Sequence, residues 1–439
     1  MDDDLAARHL AGPVDDAAAQ RLRTIGLDLR RVAPQRPELD GWQQATARGF
    51  LDAERTPEQL EASLGRAGYR RFLGVYDPSG PMTEVPVGTF ASWVGELTLP
   101  GGALLPTAAI SAVTVAPTHQ GRGIARAMME GELRYAASLG VPMAALTVSE
   151  STLYGRYGFA PATAAATWVI DAKRARWTGP VAPGRVDFVT REDARRLAPE
   201  VHERVRVSRP GELAVPEVHW GRFTGTDADA DKPGGVRAVR YADQSGNARG
   251  VATYTVHENH DDYTKSSVRV LALIADGDEA YAGLWRYFLQ LPLVGTVTAT
   301  ELSTDEPLLW MISDQRAATV TVTDHHYVRV LDVPTVLRAR RYAGAGRLVL
   351  EVTDPLGIGG GSWLVQTEAG GPARVEPVVG GQDADAPVVS LGTTELSAIV
   401  LGGVSLATLA AAGRVRATDA AAAASVFAWP VAPRLSFWY

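Results

Sequence analysis

Residues 113–126 read Val-Thr-Val-Ala-Pro-Thr-His-Gln-Gly-Arg-Gly-Ile-Ala-Arg and contain the most specific structural signal in the sequence. The apolar run from Ala108 to Val115 predicts a strand, which Pro117 ends because proline cannot donate to a sheet. From Ile124 onwards apolar residues recur at helical spacing, and Gly140 stands where a helix-ending glycine belongs. The pattern therefore predicts a strand, a glycine-containing loop and an amphipathic helix in succession.

The loop between this strand and this helix has the character of an anion site. Gly121 and Gly123 let the backbone approach a ligand closely, and the first N–H groups of a helix have no partner within it. These donors, the helix dipole and the side chains of Arg122 and Arg126 suit a pyrophosphate. A P-loop is excluded because Gly-Lys-Ser/Thr is missing, and a Rossmann fingerprint would need a small residue at Arg126. A tight turn whose glycines serve only packing is the alternative.

The remaining pattern, Gln/Arg-x-x-Gly-x-Gly/Ala between a strand and a helix, resembles motif A of the GNAT superfamily of acetyltransferases. The resemblance implies acetyl-coenzyme A as co-substrate and no metal. The pantetheine arm of acetyl-coenzyme A would pair with the backbone of Val113, Thr114 and Val115 like an added strand.

A second stretch narrows the family. Residues 149–163, Ser-Glu-Ser-Thr-Leu-Tyr-Gly-Arg-Tyr-Gly-Phe-Ala-Pro-Ala-Thr, are similar to the enhanced intracellular survival (Eis) acetyltransferases of actinobacteria. Residues 285–287, 305–310, 332–334 and 340–342 resemble the same family. The resemblance implies these cofactor-binding residues: Val113, Thr114, Val115, Gly121, Arg122, Gly123, Ile124, Ala125, Arg126, Ser149 and Glu150.

The same resemblance implies a catalytic pair. The family's general acid matches Tyr154, which would protonate the departing coenzyme A thiolate, and Tyr157 is a nearby tyrosine that the assignment passes over. The family's general base is the α-carboxylate of the last residue, which here is Tyr439. Phe50 and Asp52 resemble substrate-pocket positions, although a solvated helix face would look the same. A homo-oligomer, a hexamer in the family, is also implied.

Composition limits the other possibilities. The chain has 439 residues and no cysteine, which excludes disulfides, thiolate metal sites and a Cys nucleophile. Its 43 basic and 50 acidic residues give a net charge of −7, which disfavours a nucleic-acid surface and suits cationic amines. No apolar run approaches the roughly 20 residues that span a bilayer, and the acidic start lacks the charge of a signal peptide. We expect a cytoplasmic protein without membrane insertion.

The order of predicted elements gives α/β and α+β domains, which the resemblance assigns as two tandem GNAT-like domains and a sterol carrier protein-like C-terminal domain. The Pro/Gly-rich passage at 178–184 predicts a boundary. The second domain is expected to be degenerate because it has no counterpart of the glycine loop. The predicted parts are a flexible tail at 1–23, the catalytic domain at 24–178, the degenerate domain at 179–324 and the sterol carrier-like domain at 325–439.

The expected activity is direct acetyl transfer from acetyl-coenzyme A to a primary amine of a cationic, aminoglycoside-like acceptor. A protein lysine or N-terminus is the alternative acceptor. A carrier of lipids or other hydrophobic ligands, suggested by the third domain, is the alternative without catalysis, and an acetyl-coenzyme A sensor is another. The sequence contains no metal-spaced histidine cluster, and the pair His325-His326 is expected at the surface or in a turn.

Overall fold

The computed structural model describes residues 3–230, 232–378 and 386–439, which form two compact units. The first unit comprises the described residues up to Ala162, those from His326 to Pro430, and Tyr439. The second unit comprises Thr163–His325 and Val431–Trp438. The domain boundaries expected after residues 178 and 324 stay predictions.

The elements follow one another in a mixed α/β order. Up to residue 171 they are α1 (Asp3–Ala11), α2 (Asp16–Arg23), β1 (Asp28–Val32), α3 (Glu38–Gly49), α4 (Pro57–Gly65), β2 (Arg71–Tyr76), β3 (Gly88–Thr98), β4 (Leu104–Val115), α5 (Ile124–Ser138), β5 (Met143–Thr147) and β6 (Ala160–Asp171). They continue with β7 (Arg185–Val189), α6 (Arg191–Arg206), α7 (Trp220–Thr224), β8 (Val236–Ala242), β9 (Ala248–His257), β10 (Ser266–Ala275), α8 (Asp278–Leu289), β11 (Val294–Leu302) and β12 (Ala318–Val330). The last are α9 (Val333–Ala339), β13 (Gly346–Thr353), β14 (Gly361–Thr367), β15 (Ala373–Pro377), β16 (Val388–Gly392), α10 (Thr393–Ile399), α11 (Leu406–Ala411), β17 (Arg416–Ala417) and α12 (Ala420–Phe427).

The main sheet of the first unit has the order β1-β2-β3-β4-β5-β12, to which β12 contributes its residues from His326. Neighbours up to β4 are antiparallel, β4 and β5 are parallel, and β12 is antiparallel to β5. Helix α5 connects the two parallel strands, as such a crossover requires. Its buried side chains, among them Met128 and Leu133, belong to the hydrophobic core that includes β2, β4 and β5.

Strands β4 and β5 separate before β4 ends. Within the described residues their pairing stops at Ile110 and Leu146, whereas β4 continues to Val115. At this point β4 also bulges against β3, and Ala112 takes a left-handed φ of 50°. The backbone of residues 111–115 therefore leaves an open side toward which an extended ligand can hydrogen-bond.

The expectation of a flexible N-terminal tail is wrong for its described residues. Helices α1 and α2 are part of the first unit, and Leu5 and Leu22 are buried in its hydrophobic core. The carboxylate of Asp15 accepts from the first turn of α2 and pairs with Arg134 at 2.7 Å. An Ala- and Asp-rich stretch is thus ordered by a few large apolar residues and by capping.

A buried histidine on α1 makes stability depend on pH. His9 is 1 % exposed, its Nε2 lies 3.0 Å from Ser92 Oγ, and burial, with Arg71 nearby, lowers the pKa of His9 to about 3. A histidine in the unfolded chain has a pKa of about 6.5, so between about pH 6.5 and 3 the unfolded chain binds a proton that the folded chain does not. The stability from neutral His9 is complete above about pH 6.5 and is lost as the pH falls through this window.

We therefore expect His9→Gln to flatten the acid side of the stability curve. Within the window the wild type should lose up to about 1.4 kcal/mol of unfolding free energy per pH unit through His9. When the pH is lowered from 6.5 to 5.5, the melting temperature should therefore fall about 1–2 °C further in the wild type than in His9→Gln. The exposed His260 provides a control, because His260→Gln should keep the wild-type dependence. Parallel curves for wild type and His9→Gln would contradict the prediction.

The sheet of the second unit has the order β6-β11-β10-β9-β8-β7. Strands β10 and β11 are parallel and stop pairing at Val270 and Ala299, where β10 also bulges against β9. This arrangement repeats that of β4 and β5. Only Asp276 and Gly277 separate β10 from α8, so the described chain here contains no counterpart of the glycine loop.

The third predicted domain has a five-stranded sheet of order β15-β14-β13-β16-β17 with α9 to α12 around it. Arg340 is fully buried there and donates to the carbonyl oxygens of Ile399 and Phe427. These carbonyls end α10 and α12, where the helix dipoles favour a cation.

The expectation that His325 and His326 lie at the surface is wrong. Both lie in β12 and are at most 2 % exposed. Their imidazoles contact the last residues of the chain, His325 Nε2 the carbonyl oxygen of Phe437 at 3.1 Å and His326 Nε2 the hydroxyl of Tyr439 at 2.9 Å. Among the described helices, none has the length and hydropathy of a membrane crossing.

Candidate active site

The glycine loop takes the shape that its sequence predicts. Gly121 and Gly123 have φ values of 75° and 78°, which a side chain would disfavour, and α5 begins immediately after them at Ile124. Gly123 is the N-cap and brings no capping side chain, so the first-turn N–H groups of Ile124, Ala125 and Arg126 face outward from the helix start. This is the geometry that binds a phosphate group.

Arginines surround the loop. Arg122 donates to the carbonyl oxygen of Ile25 at 3.3 Å, and Arg126 pairs with Glu130 at 2.6 Å. Their binding to pyrophosphate stays a prediction. Sequence reasoning missed Arg21 of α2, whose Nη2 lies 3.4 Å from where a Cβ on Gly123 would be. It was missed because the N-terminal stretch was expected to be a loose tail.

The predicted strand residues lie on the open part of β4. Val113, Thr114 and Val115 follow the last residue that pairs with β5. The hydroxyl of Thr114 is 2.7 Å from that of Thr89 on β3, which fixes this end of the strand. Val113 and Val115 pack against the hydrophobic core that also contains Tyr154.

Tyr154 lies after β5, at the start of a short turn. It is 8 % exposed, and its ring meets Phe159 edge to face at 6.3 Å. Burial raises the pKa of Tyr154, and an interaction with the Ser149 side chain opposes this effect. The phenol therefore stays protonated near neutral pH, as a general acid must. Ser149 and Glu150 lie in the same loop, where the Glu150 carbonyl accepts from the N–H of Leu153.

Tyr439 is held at the end of β5, the strand that precedes the loop of Tyr154. Its main-chain oxygen accepts a hydrogen bond of 2.7 Å from the hydroxyl of Thr147, the last residue of β5. Its ring meets Trp93 edge to face at 5.0 Å, and burial raises the pKa of its phenol well above the usual value. The phenol therefore stays protonated near neutral pH and is not a proton acceptor, and the role of the main-chain end stays a prediction.

The structure thus brings the two predicted catalytic residues to one end of β5. The Thr147 hydroxyl donates to the main-chain oxygen of Tyr439, and Ser149, whose side chain influences the pKa of Tyr154, lies two positions further along the chain. Sequence reasoning missed Thr147, since nothing in the sequence distinguishes its hydroxyl from those of other strand threonines.

The predicted substrate residues lie just beyond α3. Gly49, which ends that helix, abuts Thr114 so closely that a Cβ would come within 2.4 Å of its side chain. Phe50 is 47 % exposed, and Asp52 forms an exposed ion pair with Arg55 at 3.1 Å. An exposed aromatic ring and a carboxylate next to the cofactor strand are compatible with a cationic acceptor, and their role stays a prediction.

Family models match the chain in three consecutive parts. A model described as an acetyltransferase (GNAT) domain matches residues 31–162, and a second with the same description matches residues 211–330. A sterol carrier protein domain matches residues 333–436.

Several known proteins are similar over most of the chain. An uncharacterized N-acetyltransferase of Streptomyces avermitilis is 37% identical over 354 residues, which are 78% of this chain and 82% of the relative. N-acetyltransferase Eis of Mycobacterium tuberculosis is 36% identical over 293 residues, 64% of this chain and 69% of the relative. The crystal structure of Eis1 from Mycobacterium abscessus has a TM-score of 0.80 at 25% identity, covering 94% of this chain and 100% of that chain.

Two GNAT domains, the first with the glycine loop, and a sterol carrier protein domain define an N-acetyltransferase of the GNAT type. Acetyltransferases of this type use acetyl-coenzyme A. The chain belongs to the Eis-like N-acetyltransferases, which confirms the resemblance found in its sequence.

Proposed function

We propose that the chain transfers an acetyl group from acetyl-coenzyme A to a primary amine of a cationic, aminoglycoside-like acceptor. One observation carries the proposal: the main-chain end of Tyr439 is bonded to Thr147, the last residue of β5, and Tyr154 follows on the loop just after that strand, in the unit that contains the glycine loop. The net charge of −7 favours the approach of a cation.

The residues that would hold acetyl-coenzyme A fit its parts. The open backbone of residues 113–115 suits the amides of the pantetheine arm, and the glycine loop with the start of α5 suits the pyrophosphate. Arg21, Arg122 and Arg126 supply positive charge around that loop. When bound, acetyl-coenzyme A supplies a thioester that is open to attack by an amine.

In this proposal the chain's own groups move two protons. An ammonium group with a pKa near 10.4 must lose its proton before attack, which at pH 7 costs about 4.6 kcal/mol. The Tyr439 carboxylate would accept that proton directly or through water, and the Tyr154 hydroxyl would donate a proton to the departing sulfur. No covalent enzyme intermediate is required.

The test is a thiol-release assay with acetyl-coenzyme A and a panel of acceptors. We expect aminoglycosides and polyamines to release thiol well above the rate of hydrolysis without acceptor. The fully N-acetylated form of the same aminoglycoside, which has no free amine, should stay at the background. Turnover confined to lysine peptides or free protein N-termini would show that the acceptor is a protein amine and not an aminoglycoside-like molecule. No turnover with any amine would overturn it.

A further inference from the structure

The third domain holds the loop that carries Tyr154. We call residues 154–158 the tyrosine turn; it contains a short 3-10 helix at Gly155–Tyr157 and ends on Gly158, with a φ of 84°. Two of its carbonyl groups accept from side chains that are distant in the sequence. Arg329 Nη1 donates to the carbonyl oxygen of Tyr157, and Thr394 Oγ1 donates to that of Gly155 at 3.2 Å. All these residues belong to the first unit.

The arginine that reaches the turn is itself fixed by the third domain. Arg329 Nη2 lies 2.8 Å from Asp354 Oδ2, and both side chains are 0 % exposed. The same carboxylate accepts from the backbone N–H groups of Ile358 and Gly359 at 2.9 and 2.7 Å. A carboxylate with three donors on one oxygen cannot easily turn, so it holds Nη2 of Arg329 in place while Nη1 donates to the carbonyl oxygen of Tyr157.

Neighbouring side chains pack tightly against Gly158, so the tyrosine turn has little room to move. A Cβ on Gly158 would come 1.8 Å from Arg329 Nη1 and 2.9 Å from Thr393 Oγ1. Leu356 and Ile358, from the loop after Asp354, pack against the same hydrophobic core as Tyr154. A buried ion pair contributes little net stability. The hydrogen bond that Arg329 donates to the tyrosine turn therefore explains the Arg329–Asp354 pair better than stability does.

We propose that the sterol carrier-like domain positions the general acid through Asp354 and Thr394: Asp354 fixes Arg329 of β12, and Arg329 and Thr394 hold the tyrosine turn so that Tyr154 points at the leaving sulfur. This inference rests on the proposed function of Tyr154. Arg329, Asp354 and Thr394 are positioning residues, because they act through the turn and not on the reacting atoms.

The test combines Thr394→Val and Asp354→Asn with Tyr154→Phe in double-mutant cycles. Thr394→Val should lower kcat about 3- to 10-fold and Asp354→Asn about 10- to 100-fold, because a small displacement of a reacting group is costly. The KM for acetyl-coenzyme A should change less than about twofold, since the glycine loop and β4 are untouched. With Tyr154→Phe already present, neither substitution should lower kcat further by more than about twofold.

A threonine elsewhere in the same domain gives the matched control. The exposed Thr418 accepts from the backbone N–H of Val388 at 3.0 Å and is not in contact with the tyrosine turn, so Thr418→Val should keep the wild-type kcat. Equal losses in kcat with and without Tyr154→Phe would overturn the inference, as would an unchanged kcat in Thr394→Val. If Asp354→Asn does not fold, the Thr394 cycle decides alone. A Tyr154→Phe variant with full activity would instead contradict the proposed function.

Discussion

Tyr154→Phe is expected to lower kcat about 100- to 1000-fold while the KM for acetyl-coenzyme A stays within about threefold of wild type. The substitution removes the proton that the leaving thiolate would receive and keeps the ring that packs against Phe159. Steady-state kinetics with an aminoglycoside acceptor give both constants. Coenzyme A should still raise the melting temperature of the variant, because its binding residues remain.

Tyr157→Phe is the matched control for this prediction. It lies on the same turn, is equally buried at 8 % exposure, and keeps its backbone carbonyl bond to Arg329. We expect it to retain most of the wild-type kcat. Because burial raises the pKa of Tyr154, deprotonation of this residue should not lower kcat of the wild type up to about pH 10. Similar losses in both variants would show that the loss does not depend on proton donation by Tyr154 in particular, and would contradict its role as the general acid.

The sequence predicted the strand, loop and helix of the candidate cofactor site because their signals are local. Two glycines of positive φ, the proline that ends β4 and the start of α5 lie within a few residues of one another. The structure confirms the strand, the loop and the helix in that order. The opening between β4 and β5 was implied by the family resemblance and became explicit only in the strand register.

The candidate catalytic part of the site depends on contacts between residues that are far apart in the sequence. The bond from Thr147 to Tyr439 joins residues 292 positions apart, and the one from Arg329 to Tyr157 joins residues 172 apart. No periodicity or motif encodes such pairs. The error for His326 has the same origin, since a polar residue is buried here by a partner, Tyr439, that only the fold supplies.

The N-terminal helices show how composition can mislead. Alanine-rich segments with few large apolar residues resemble disordered tails. Here Leu5 and Leu22 reach the core, and Asp15 and His9 find partners far along the chain. Their docking also brings Arg21 to the glycine loop, so a stretch expected to have no role contributes to the candidate cofactor site.

Blocking the terminal carboxylate of Tyr439 is expected to lower kcat about 100- to 1000-fold at neutral pH. Two forms test this: a chain extended by Gly-Ser-Gly, which turns the carboxylate into a peptide amide, and a semisynthetic Tyr439 carboxamide, which removes the charge without adding bulk. Tyr439→Phe keeps the carboxylate and loses only the phenol that contacts His326, so its kcat should fall less than about threefold.

The pH dependence separates loss of a base from simple displacement of the chain end. Without an internal base the rate should follow the fraction of unprotonated acceptor, which rises about tenfold per pH unit up to its pKa near 10.4. The deficit of the carboxamide should therefore shrink steadily between about pH 7 and 10. A deficit that is constant with pH would point to a misplaced acceptor, because the missing proton acceptor would then not be the cause. Full activity of the carboxamide or of the extended chain would exclude the carboxylate as the base and would leave the hydroxyl of Thr147 holding a group with only a structural role.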